Sequence, residues 1–144
     1  MLIAFLAIVL VIAVQPPPCG LPDREACSLA HGFVIGEAPF LSGNIEIWNC
    51  RGRTIVALNQ IRGLPADSGP VTRAYFCPDV GSGERLMGCR GENENFDGTV
   101  AIADAAGGNR PKLRKAWEAD TANWKFLPTD AADLVCNRGL AVEQ

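Results

Sequence analysis

Residues 93–104, NENFDGTVAIAD, hold the arrangement whose residue types and spacing come nearest to a chemical site. Side-chain oxygens stand at alternate positions, Asn93, Asn95 and Asp97, and Gly98, Thr99 and Asp104 follow. These are the offsets of a twelve-residue calcium loop. Oxygens at its positions one, three and five ring the ion, glycine permits the bend, position seven offers a carbonyl and position twelve closes the ring. The match has faults. Asn93 lacks the charge of the usual Asp, and Asp104 is shorter than the usual bidentate Glu. The flanks LMGCRG and AAGGNR do not read as helices, which excludes a helix–loop–helix calcium module. Calcium is the one cofactor suggested, in a weak site with a liganding charge of about −2. The competing reading, which the faults favour, is a polar loop in which Asn and Gly take unusual backbone angles ahead of a strand.

A second candidate is the turn around Asn123, Trp124 and Lys125, where an exposed aromatic flanked by polar side chains can meet a protein or glycan partner. Trp48 belongs to a core pattern instead. Glu46 with Glu92 or Glu94 can hydrolyse a glycosidic bond only if the carboxylates are held at a defined separation; otherwise they are ordinary surface acids. His31 is the only histidine. Ser28 lies near it, but no G-x-S-x-G spacing supports a triad. One histidine and no CxxC pair leave no usual zinc set. The net charge is −3 with no basic stripe, so nucleic acid is not an expected partner. The cluster RPKLRK, residues 110–115, reads as a solvated face.

The residues that frame these candidates indicate export. Residues 2–14 carry no polar side chain. As a helix they span about 20 Å, against the roughly 30 Å of a bilayer core. Val11 and Ala13 supply the small residues of a cleavage site ahead of Val14, although no Lys or Arg precedes the apolar run. Residues 1–13 are therefore read as a signal peptide or a short N-terminal anchor, 14–20 as a proline-rich spacer, and 21–144 as one domain. The expected location is periplasmic or secreted, or alternatively membrane-anchored with an exported domain. Membrane contact is expected only if residues 1–14 are retained. Six widely spaced cysteines agree with an oxidising compartment. Fifteen pairings are possible; the expected one is Cys19–Cys27, Cys50–Cys136 and Cys77–Cys89.

Residues 21–32 carry helix signals, with Pro22, Asp23 and Glu25 at the start and His31 and Gly32 at the end. The remainder reads as β. Residues 45–50 and 53–60 form a hairpin across Arg51-Gly52, pairing Ile45 with Leu58, Ile47 with Val56 and Trp48 with Ile55. Both faces are apolar, which places this hairpin centrally. Residues 71–77 and 85–89 suggest a second hairpin, and 112–120 with KFLP a third, with Leu113, Lys115, Trp117 and Ala119 on one face. Residues 99–104 suggest a strand, and 130–136 a helical turn or closing strand. The fold class is mainly β: a small disulfide-stapled sandwich or open barrel of about six to eight short strands with one short N-terminal helix. The functional expectation is an exported non-enzymatic binding or accessory protein. The alternatives are the ectodomain of a membrane-complex subunit and a small carboxylate-dependent hydrolase.

Overall fold

The computed structural model describes residues 18–36, 41–90, 96–106, 111–131, 134 and 136, with backbone alone at 90, 96 and 97. Four strands, β1 Ser28–Ile35, β2 Gly43–Cys50, β3 Arg53–Gln60 and β4 Val71–Phe76, make one antiparallel sheet in sequence order. Four more, β5 Glu84–Arg90, β6 Phe96–Asp104, β7 Leu113–Asp120 and β8 Lys125–Thr129, make a second. The sheets share a core and form a sandwich, not a closed barrel.

The central hairpin has the register that its apolar alternation implies: Ile45 faces Leu58, Ile47 faces Val56, Trp48 faces Ile55 and Cys50 faces Arg53. A one-residue slip would turn every apolar side chain to the wrong face, so the pattern fixes the pairing. Arg51 at φ 50° and Gly52 at φ 84° supply the two positive angles of a type I′ turn. β1 and β4 flank the hairpin, which makes it central. Ile45, Ile47, Val56 and Leu58 join Phe33, Ile35 and Val100 between the sheets, with Phe76, Trp117 and Phe126 packed against them.

The N-terminal helix is not formed. The signals at Pro22 and Asp23 yield a single turn, in which the Asp23 carbonyl accepts from the Ala26 and Cys27 amides at 3.1 and 2.8 Å. From Ser28 the chain pairs with β2, because Phe33 and Ile35 can then bury at alternate positions opposite Ile45 and Gly43. The second hairpin is not formed either. β4 pairs with β3 and β5 with β6, so residues 77–83 carry the chain from one sheet to the other. The third hairpin is present, with Ala119 opposite Phe126 and Asp120 opposite Lys125. Its expected face is broken, however. A bulge opposite Ile102 and Ala103 sends Leu113 to the outer cluster, while Trp117 and Ala119 pack inward. Residues 99–104 lie in β6. Residues 130–136 are described only in part, and there the Leu134 amide donates to the Ala131 carbonyl at 3.3 Å.

Each sheet also carries a small apolar cluster on its outer face. Trp48, Cys50, Ile55 and Ala57 lie on the first, with Cys27 and Cys77 packed against them. Met87, Cys89, Ala101, Ala103 and Ala116 lie on the second, together with Cys136. The disulfides fasten these layers. All six cysteines are bridged, but as Cys19–Cys77, Cys27–Cys50 and Cys89–Cys136, which corrects the expected pairing. The reason is topological. Ser28 pairs with Asn49, so Cys27 and Cys50 are cross-strand neighbours with Cα atoms 4.3 Å apart. Placing β4 and β5 in different sheets separates Cys77 from Cys89.

Candidate binding end of the sandwich

Antiparallel strands in sequence order send alternate connections to opposite ends of a sheet. Gly43 at the start of β2 lies under the Trp124 indole, and Gly98 in β6 lies against Ile35 at the end of β1. Those contacts align the two sheets. The strand ends joined by residues 36–42, 61–70, 91–95 and 121–124 therefore share one end of the sandwich, the loop end. The Arg51-Gly52 turn, residues 77–83 and the Cys19–Cys77 and Cys27–Cys50 bridges occupy the other, stapled end, while Cys89, opposite Thr99, puts the third bridge on the outer face of the second sheet near the loop end.

At the loop end the turn between β7 and β8 is built by Asp120. Its Oδ1 accepts from the Ala122 and Asn123 amides at 3.0 and 3.1 Å, and its Oδ2 accepts from Asn123 Nδ2 at 2.9 Å. The Asn123 side-chain hydrogen bond, its backbone hydrogen bond and the charge of Lys125 hold the Asp120 carboxyl below its usual value near 3.8. A depressed carboxyl stabilises the fold above its unfolded pKa, and that contribution is lost as pH falls through the lower folded value. Acidification below about pH 4 should therefore loosen this turn, seen as a change in Trp124 fluorescence that Asp120→Ala abolishes. An unchanged acid transition in Asp120→Ala would show that Asp120 does not hold the turn.

Trp124 follows at φ 52°, a left-handed angle that strains a bulky residue. The structure holds it there by packing. The indole is half-buried against the inter-sheet core, and a Cβ on Gly43 would stand 3.4 Å from the ring and 2.7 Å from the Asn59 carbonyl oxygen. Only glycine fits beneath it. On its exposed side the Arg73 guanidinium carbon lies 5.8 Å from the ring centroid. Asn123, Trp124 and Lys125 are thus brought together, but not in the expected roles. Asn123 spends its amide on Asp120, Trp124 closes the end of the core instead of standing free, and Lys125 is exposed. Arg73, Gly43 and Asp120 carry no local sequence signal, because sheet pairing and a turn hydrogen bond bring them into the site.

Of the calcium-loop residues, Thr99 and Asp104 do not converge. Asn93 and Asn95 lie outside the described residues. Asp97 and Gly98 fall in a bulge, where Cys89 faces Thr99 and Arg90 faces Phe96, with Gly98 at φ 85°. Thr99 is buried within β6 between Cys89 and Glu118. Asp104 is five residues along the same strand, about 16 Å away at the usual rise, at the stapled end. It pairs there with Arg114 at 3.1 Å. An extended strand holds Thr99 and Asp104 too far apart to ring one ion. Among the described residues no group of three His, Cys, Asp or Glu side chains gathers as a metal site.

Glu46 lies on the outer face of the first sheet, where its Oε1 accepts from Asn59 Nδ2, and Asn59 Oδ1 accepts from the Thr72 hydroxyl at 2.7 Å. Asn59 is 2% exposed, so this chain of hydrogen bonds satisfies a buried amide. Glu92 and Glu94 lie outside the described residues. His31 is in β1, opposite Ile47 and beside Phe33, while the Ser28 hydroxyl donates to the Asn49 carbonyl. Surface depressions of about 210, 300 and 200 Å³ lie towards the stapled end. The first is lined by the Cys27–Cys50 bridge with Pro18 and Leu21, the second by Trp117 and Pro128, and the third by Arg53 and Pro78. They sit at or below the lower bound for small-molecule sites, roughly 300 Å³. Scans against protein-family models, curated proteins and solved structures each found no match.

Proposed function

We propose that the protein is a non-enzymatic binding module, periplasmic or secreted, that presents its loop end to a glycan or protein partner. The observation that carries this reading is the division of the sandwich into two ends. The Cys19–Cys77 and Cys27–Cys50 bridges and the entry of the chain at Cys19 occupy one, and the strand ends joined by four connections share the other. A rigid scaffold with loops gathered at one end is the usual arrangement for recognition on a β sandwich. Three bridges suit an oxidising compartment. Retention of residues 1–14 as an anchor would attach the domain by its stapled end and leave the loop end directed away from the membrane, so the membrane-complex reading uses the same surface.

The test is retention of a partner from a native envelope extract by the wild-type domain and two double variants. Asn123→Ala with Lys125→Glu alters the loop end, and Arg24→Ala with Lys112→Ala alters exposed residues of the stapled end. The loop-end variant should lose about tenfold in affinity, or ~1.4 kcal/mol, and the other should bind as wild type. The opposite order would place recognition at the stapled end.

A further inference from the structure

Residues 19–27 run from the bridge to Cys77, just beyond edge strand β4, to Cys27, just before edge strand β1. They therefore cross the stapled end of the first sheet from one edge to the other, as a strap over its outer face. Leu21 and Ala26 on the strap and Cys50, Arg51 and Ile55 on the sheet line the depression of about 210 Å³ between them. Little besides sulfur holds the strap down. Among the described residues its hydrogen bonds are internal: the Ala26 and Cys27 amides donate to the Asp23 carbonyl, and the Glu25 amide donates to Asp23 Oδ1 at 3.0 Å. Its largest apolar side chain, Leu21, is 62% exposed, and Cys19, Asp23, Arg24, Glu25 and Ala26 are exposed as well. A segment with few buried apolar contacts and no hydrogen bond to the sheet opens locally at small free-energy cost once an end is released.

The bridges differ in access, which governs thiol–disulfide exchange. Cys19 is exposed and Cys77 half-buried. Cys50 is buried beneath the strap, and Cys89 and Cys136 are 0% and 3% exposed. We infer that residues 19–27 are a redox-released strap, with Cys19–Cys77 as its latch and Cys27–Cys50 as its hinge, and that reduction of the latch by a dithiol uncovers the hinge bridge and Ile55. One thiolate of the dithiol attacks the Cys19 sulfur, the Cys19–Cys77 bond breaks and Cys77 leaves as a thiolate. The second thiol then displaces Cys19 and closes the reductant's own disulfide. Both electrons come from the dithiol, and its two protons end on Cys19 and Cys77. Strand pairing and the buried Cys89–Cys136 bridge are untouched by this step, so the fold persists. The strap lies away from the loop end, so the device is independent of recognition there.

Timed reduction of the native protein by dithiothreitol, with alkylation and peptide mapping at each point, tests the order. Cys19 and Cys77 should be modified first, at least about tenfold faster than any other pair, and Cys89 and Cys136 last. The double variant Cys19→Ser with Cys77→Ser tests the release. Trypsin should cut it after Arg24 at least about tenfold faster than it cuts the wild-type protein, because a segment tied at both ends resists the protease and a freed one does not. The variant should keep a cooperative melting transition. Earlier modification of another pair, loss of all three bridges together, or equal cleavage after Arg24 overturns the inference. A double variant without a cooperative transition also overturns it, because Cys19–Cys77 would then hold the fold and not the strap.

Discussion

Reduction of the three disulfides is expected to unfold the protein at neutral pH without denaturant. The bridges close segments with sequence separations of 58, 23 and 47 residues. Each restricts the unfolded chain by an amount that chain-entropy arguments put at about 3–4 kcal/mol, and a domain of this size holds a net stability of roughly 5–15 kcal/mol. Losing all three approaches or exceeds that margin. The bridges also hold covers in place. Cys89–Cys136 brings the C-terminal segment over Met87, Ala101 and Ala103, and Cys19–Cys77 with Cys27–Cys50 brings the N-terminal segment over Trp48 and Ile55. Near-ultraviolet circular dichroism with and without reductant gives the answer. Loss of the tertiary signal is expected, and a reduced protein that keeps its signal and melting temperature would show the bridges to be dispensable.

Leu58→Ala is expected to destabilise the domain by about 3–5 kcal/mol, the upper part of the range for truncating a buried leucine. Leu58 is 0% exposed in the central strand of the first sheet, between Ile45 on one side and Ala74 on the other. Neither neighbour can fill the gap, because both are held in register by backbone ladders. Leu127→Ala is the control. Leu127 is 40% exposed on β8, and its loss should change stability by no more than about 0.5 kcal/mol. Urea unfolding of the two variants separates them, and similar midpoints would contradict the placement of the core between the sheets.

The parts of the fold legible in the sequence are those decided by neighbours along the chain. Ile45, Ile47, Val56 and Leu58 alternate around Arg51-Gly52, and period two with a two-residue turn admits one register. The β7–β8 hairpin is legible for the same reason. β1 is not, because Pro22 and Asp23 do start a helical turn, while the partner that converts Ser28 onward into strand is β2, distant in sequence. Cysteine pairing follows the same rule, since it depends on which sheet each strand joins. In the candidate site, Asn123, Trp124 and Lys125 are visible as a polar aromatic turn. Arg73 and Gly43 are not, since β4 and β2 reach Trp124 only through the stacking of the two sheets. Thr99 and Asp104 are held apart because Val100, Ala101, Ile102 and Ala103 are all buried in an extended strand covered on both faces, and a strand cannot curl around an ion.

The attachment of the N-terminal segment to the stapled end and of the C-terminal segment to the outer face of the second sheet rests on which sulfurs are joined. Mass-spectrometric peptide mapping of native material, digested without reduction after free thiols are alkylated, tests it directly. The expected result is three crosslinked pairs, Cys19–Cys77, Cys27–Cys50 and Cys89–Cys136, with no alkylated cysteine. Free thiols throughout would contradict the oxidising compartment, and a bridge joining Cys77 to Cys89 would contradict the placement of β4 and β5 in different sheets.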